Sequence, residues 1–168
     1  LSVYGASIRR PLGKGIAKME FAYYHSRDDR QGKSAFIRNS EWRILMGYDF
    51  ELARETSLGF QFYLEKMQDY SDYLASMPAG APLKDELRSV TTIRLTKHLS
   101  RQTKIASLFL YYSPSDRDGY IRPKLTYKLN DKTRLEVGAN LFFGEELHTF
   151  FGQFERTSNV YLAWRRSF

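Results

Sequence analysis

The sequence predicts an all-β protein, an antiparallel up-and-down meander of about nine strands. Three observations predict it. Apolar and polar residues alternate over long stretches, and a period of two marks a strand with two unlike faces. The connections between these stretches are alternately short and long, as in a meander whose two ends meet different surroundings. The most apolar run, Ala106 to Tyr112, is far shorter than the roughly 20 residues that a membrane-crossing helix needs.

The elements are expected near 1–10, 15–25, 40–52, 56–67, 88–99, 103–113, 119–130, 132–143 and 157–168. Residues 1–10 are strand-like, but their pattern does not say which face is which. In the second strand Ala17, Met19, Phe21 and Tyr23 alternate with Lys18, Glu20, Ala22 and Tyr24. The third is the clearest. Trp42, Ile44, Met46, Tyr48, Phe50 and Leu52 oppose Glu41, Arg43, Leu45, Gly47, Asp49 and Glu51, a run far longer than the usual five or six residues. Leu58, Phe60, Phe62 and Leu64 continue the pattern in the fourth. Weaker alternation follows at Thr91, Ile93 and Leu95, then at Ala106, Leu108, Leu110 and Tyr112. Ile121, Leu125 and Tyr127 face away from Arg122, Lys124 and Lys128, although Pro123 is unusual in a paired central strand. Leu135, Val137, Ala139, Leu141 and Phe143 form the eighth apolar row, and Val160, Leu162, Trp164 and Phe168 the ninth.

Tight turns are expected at Pro11–Lys14, Ala53–Glu55, Ser100–Gln102 and Asn130–Asp131. Longer loops are expected at 25–39, 68–87, 113–119 and 144–158. The whole chain, 1–168, reads as one domain.

Two architectures bury one face of such a meander. A soluble barrel points its apolar face inward; a membrane barrel points it at lipid and keeps a polar lumen. The second fits better. The strands run about ten to twelve residues, and a tilted spanning strand needs roughly 9–11. The polar face is charged, and the apolar face carries Tyr23, Trp42, Phe50, Tyr112, Tyr127, Phe143 and Trp164 near strand ends, where rings with polar tips suit the headgroup level. The expected fold is therefore a transmembrane β-barrel or part of one.

The last ten residues, Asn159 to Phe168, form an alternating apolar strand that stops on a terminal Phe. This resembles the closing-strand signal of Gram-negative outer-membrane β-barrels. The family usually carries an apolar or aromatic residue two before that Phe; here it is Arg166, whose long stem can carry its charge to the rim. The segment 137–168, with Asn140–Glu146 and Phe150–Phe154, also resembles the ends of large porin-like barrels. The resemblance implies an outer-membrane location and reading by the barrel-assembly machinery. It also implies contact with membrane lipids, including outer-leaflet lipopolysaccharide. With Phe168 on the periplasmic side, the tight turns become periplasmic, the long loops extracellular, and Leu1 falls outside. Bacterial single-chain barrels have even strand numbers, so the chain is expected to be the C-terminal part of a larger barrel, with further strands on the same precursor or another chain. The alternative is a complete eight-stranded barrel over 15–168.

The chain has 168 residues, with 26 Lys+Arg against 19 Asp+Glu, a net charge of +7, no Cys and 15% aromatic residues. The missing Cys exclude a disulfide scaffold and a zinc finger. The basic residues are dispersed rather than clustered with exposed aromatics, which argues against nucleic acid and suits anionic headgroups. Lumen-facing Arg94, Arg122, Lys124, Lys128, Arg134, Glu136 and Arg165 form a mainly basic wall expected to favour anions. Glu20, Glu41, Asp49, Glu51 and Glu65 lie opposite. Phe150, Phe151 and Phe154 cluster in one loop, which either folds into the mouth as a constriction or packs on the rim.

No nucleophile elbow or Ser/His/acid spacing occurs, so no enzyme is expected. No cofactor is expected either, and His148 with Glu145 and Glu146 is too small a set to make a metal site. The expected function is porin-like passage of small polar, anionic solutes. A structural or assembly barrel without a conducting role, and a soluble ligand-binding β-barrel, stay open as alternatives.

Overall fold

The computed structural model describes residues 1–100 and 103–167; most of the tight turn expected at Ser100–Gln102, and Phe168, lie outside them. Nine strands form one antiparallel sheet in sequence order. They are β1 (Ser2–Leu12), β2 (Gly15–His25), β3 (Glu41–Ala53), β4 (Thr56–Met67), β5 (Leu87–Ser100), β6 (Lys104–Ser113), β7 (Asp118–Lys128), β8 (Thr133–Gly144) and β9 (Asn159–Arg166). A short helix α1 (Tyr70–Ser76) lies between β4 and β5, and a 3-10 turn spans Gly152–Thr157. The sheet is open, with β1 and β9 at its edges. The described strands thus form the expected meander without closing it into a barrel. None of the described helices is long and apolar enough to cross a membrane.

Register assigns the face of β1 that its own pattern leaves open. Tyr4 pairs with Tyr23, Ala6 with Phe21 and Ile8 with Met19. Directly paired residues share a face, so these three extend the apolar one. Pro123 stays within β7. The β6 ladder runs through it, opposite Leu108, while the β8 ladder breaks at Arg122 and Pro123 and resumes at Lys124–Gly138. A proline has no N–H to give one neighbour, and here the gap falls on the β8 side.

The tight connections at 13–14, 54–55 and 129–132 share one end of the sheet. The loops at 26–40, 68–86 and 145–158 share the other. One expected long loop is short. β6 reaches Ser113 and β7 begins at Asp118, so only 114–117 connect them. Arg117 takes φ 49° and Ser113 Oγ donates to Asp116 (2.7 Å). A side-chain hydrogen bond and one left-handed residue close this hairpin early.

Few apolar side chains of this open sheet are fully buried. Among the described residues the buried apolar side chains are Met67, Tyr73 and Val90, and Met67 and Val90 lie on the polar face, where Glu41, Asp118, Ser113 and Glu136 are also buried. Met46, Val137, Leu162 and Trp164 are exposed. The accessible surface is 11538 Å², against about 8,600 Å² for a compact monomer of this mass.

Candidate functional site

The polar face is where the charged side chains meet, and it has two unlike halves. On β3 and β4 the charges are paired. Glu41 receives Arg38 (Nη2, 2.9 Å) and Arg43. Glu65 receives Arg38 (3.3 Å) and Arg43 (3.5 Å), and Tyr63 donates to it (2.8 Å). Arg43 also lies 4.0 Å over the Tyr24 ring. Further along, Asp49 holds Lys18 (3.5 Å) and Arg94 (3.1 Å). Arg94 reaches it from two strands away because Gly59 lies between. A Cβ there would sit 2.4 Å from the Asp49 carboxylate.

On β6 to β9 cations are in surplus. Glu136 is buried, and with Asp118 at the loop end of β7 it is one of two carboxylates on this half of the strand face, against five cations. Lys124 and Arg165 stand 3.9 and 3.8 Å from it, longer than a tight charged hydrogen bond. The Tyr161 hydroxyl donates to Glu136 (3.4 Å) and accepts from Arg122 (3.4 Å). Arg122 and Arg134 have no carboxylate partner among the described residues. A groove of about 420 Å³ opens here, lined by Arg94, Phe109, Arg122, Lys124, Arg134 and Glu136.

The seven charged residues expected on the lumen side therefore share one face, and five of them line one groove. Arg165 joins through Glu136. Lys128 turns away to Asp131 (2.8 Å) at the tight-turn end. Its hydrogen bond and charge hold the Asp131 carboxyl below the usual carboxylate range.

The loop 145–158 packs against the polar face itself. Phe151 stacks on Tyr120 (5.3 Å) and Phe142 (5.9 Å) and meets Tyr111 edge-on (4.8 Å). Its backbone N–H donates to Asp118 Oδ2 (2.7 Å). Gly144 and Gly152 pass so closely that a Cβ on Gly144 would meet the Gly152 Cα at 2.6 Å. Phe154 lies against Phe142 (5.6 Å), and Phe150 packs on Phe151 while staying largely exposed.

Val160, Leu162 and Trp164 line the apolar face of the edge strand β9 and are exposed there; the terminal Phe168 of the closing-strand signal lies outside the described residues.

Sequence reasoning missed Asp118 and the role of Phe109, Tyr111 and Tyr120. Their polar-face parity was readable, but the loop residue that Asp118, Tyr111 and Tyr120 receive was not. His25 is on β2, His98 on β5 and His148 in the last loop, 3.9 Å from Glu146. Among the described residues no three His, Asp or Glu side chains are arranged as metal ligands. No family model, no curated protein and no solved structure matches the chain.

Proposed function

We propose that the chain forms part of the wall of an outer-membrane β-barrel that passes small polar, anionic solutes. One observation carries this reading: the charge layout of the two faces. Paired register sorts every strand. Among the described residues, the only charged ones on the apolar face of the strands are cations near strand ends, Arg10, Lys66, Lys97, Lys104 and Arg166, with no acid there. Long cationic side chains at strand ends reach headgroups, whereas a carboxylate in lipid has no such escape. Aromatic residues flank the same band. Trp42 and Phe50 are eight residues apart on β3, roughly 27 Å along the strand and about 21 Å at a tilt of 40°. That is close to the ~25 Å apolar belt of such barrels.

The open edges favour a larger assembly. β1 and β9 run in the same direction in the alternating order, so pairing them would create a parallel seam. An odd number of further strands would complete an antiparallel barrel. A barrel that serves only as structure would share this wall but not need the cation surplus around Glu136.

The test is reversal potential in a salt gradient across a planar bilayer. Anion selectivity is expected, and changing Arg122, Lys124 and Arg134 to Gln should move the reversal potential toward the cation side. K128Q should move it little, because Asp131 already compensates that charge. A protein that gives no conductance steps defeats the channel reading. One that is monodisperse without detergent defeats the membrane reading altogether.

A further inference from the structure

The groove over β5 to β8 combines charge with one feature that charge alone does not need. Phe109 on β6 is paired directly with Arg94 on β5 and with Arg122 on β7. The three side chains share a face and line the same groove of about 420 Å³. The Phe109 position thus lies between two arginine positions, one strand spacing of about 4.8 Å from each along the sheet, while their guanidiniums reach outward to Asp49 and Tyr161. We propose that this row is a seat for an aromatic monocarboxylate, a planar ring bearing one carboxylate. The proposal deepens the channel reading and rests on it for its setting, since it names the class of anion that lingers in the pore.

Each part of the row has a role. Phe109 is only part-buried and offers an apolar surface to a second ring, whose preferred offset or edge contacts it can accept. Arg122 has its guanidinium beside the Tyr161 hydroxyl (3.4 Å) and no carboxylate partner among the described residues. A guanidinium is the side chain best shaped to take a carboxylate through two parallel hydrogen bonds, and it also stacks on rings. Arg94 is tied through Nη2 to Asp49 (3.1 Å), which holds it as the other side wall. Glu136 does not neutralise the groove. Lys124 and Arg165 stand nearly 4 Å from it, and Arg134 adds a further charge at the turn end. The volume lies within the usual range of small-ligand pockets. An inorganic anion or a short aliphatic acid would use the cations and leave Phe109 unused.

Isothermal titration calorimetry on the detergent-solubilised protein tests the seat, with benzoate, acetate and inorganic phosphate at matched ionic strength. Benzoate is expected to bind about tenfold more tightly than acetate. Phe109→Leu keeps an apolar side chain in the strand and should bring benzoate to within about threefold of acetate. Arg122→Gln should weaken both acids about tenfold. Far-UV circular dichroism checks that each variant is folded, and the comparison of the three anions on the unaltered protein needs no variant. Equal binding of benzoate and acetate overturns the proposal, as does phosphate binding more tightly than benzoate, or a benzoate preference that survives Phe109→Leu. Binding in detergent does not depend on conductance. A silent bilayer with the benzoate preference intact therefore defeats the channel reading alone. Anion-selective conductance without that preference defeats the seat alone.

Discussion

Glu41 is 2% exposed, and Arg38 and Arg43 share its carboxyl group. The arrangement is strong only as a set. A buried carboxylate that loses its cations, or a half-buried cation that loses its carboxylate, is stranded away from water. Glu41→Ala takes from Arg43 its close carboxylate partner and leaves the longer contact to Glu65 at 3.5 Å and the Tyr24 ring. The expected cost is about 3 kcal/mol. Arg134→Gln removes a cation with no partner among the described residues and should stay within about 0.5 kcal/mol. Urea titrations of both variants in the same detergent or vesicles measure the difference, and equal midpoints would show that the cluster is not a structural clamp. Part of this site was legible. Glu41 and Arg43 are two apart and so share a face in any strand. Their meeting with Glu65 was not, because it depends on the β3–β4 register, which pairs Arg43 with Glu65. Nor was the Asp49–Arg94 pair, which needs Gly59 between them and a sheet in three dimensions.

Elements divide by what determines them. Strands read well because alternation is a local property, and β3 shows it along nearly its whole length. Hairpin lengths read less well. Residues 113–119 carry ordinary loop composition, yet the ladder pairs Ser113 with Asp118 and leaves four residues outside it. The path of loop 145–158 was not legible at all, since its receptor is assembled from Tyr111, Tyr120 and Phe142 on three strands. Asp118 is the fastener. It is fully buried, and its carboxylate accepts the Phe151 N–H. A hydrogen bond to a charged group contributes about 1.5–3 kcal/mol, so Asp118→Ala should raise the population of the detached loop by about ten- to a hundredfold. Arg156 lies in that loop, and trypsin cleavage there should accelerate accordingly. Cleavage at Arg27, Arg30 and Lys33 in the loop 26–40 should be unchanged, which separates local release from general unfolding. An unaltered rate at Arg156 would mean that the aromatic stack alone holds the loop.

For the whole molecule the decisive quantity is the solvent that the apolar face meets. The same nine-stranded sheet is compatible with water or with lipid, and the two differ in what a charge at the middle of that face costs. Met46 is the place to ask. It lies midway between Trp42 and Phe50 on β3, is paired with Met19 and Phe62, and is 47% exposed. In water Met46→Arg would change stability by no more than about 0.5 kcal/mol, since an exposed strand residue with room around it tolerates a long cation. In lipid the same change puts a guanidinium near the bilayer midplane, at a cost of about 2–4 kcal/mol. The native cations supply the control. Lys97 and Arg10 share this face but lie toward the tight-turn end, where their stems reach the interface, so Lys97→Gln should cost under about 1 kcal/mol in either solvent. Guanidinium titrations of the protein folded into phospholipid vesicles read the changes at both positions. A large penalty at Met46 with a small one at Lys97 is the signature of a depth-dependent apolar medium, because a soluble sheet has no depth for a charge to sense. Equal, small effects at both positions would assign the apolar face to water or to a covering protein, and the membrane reading would fall with them.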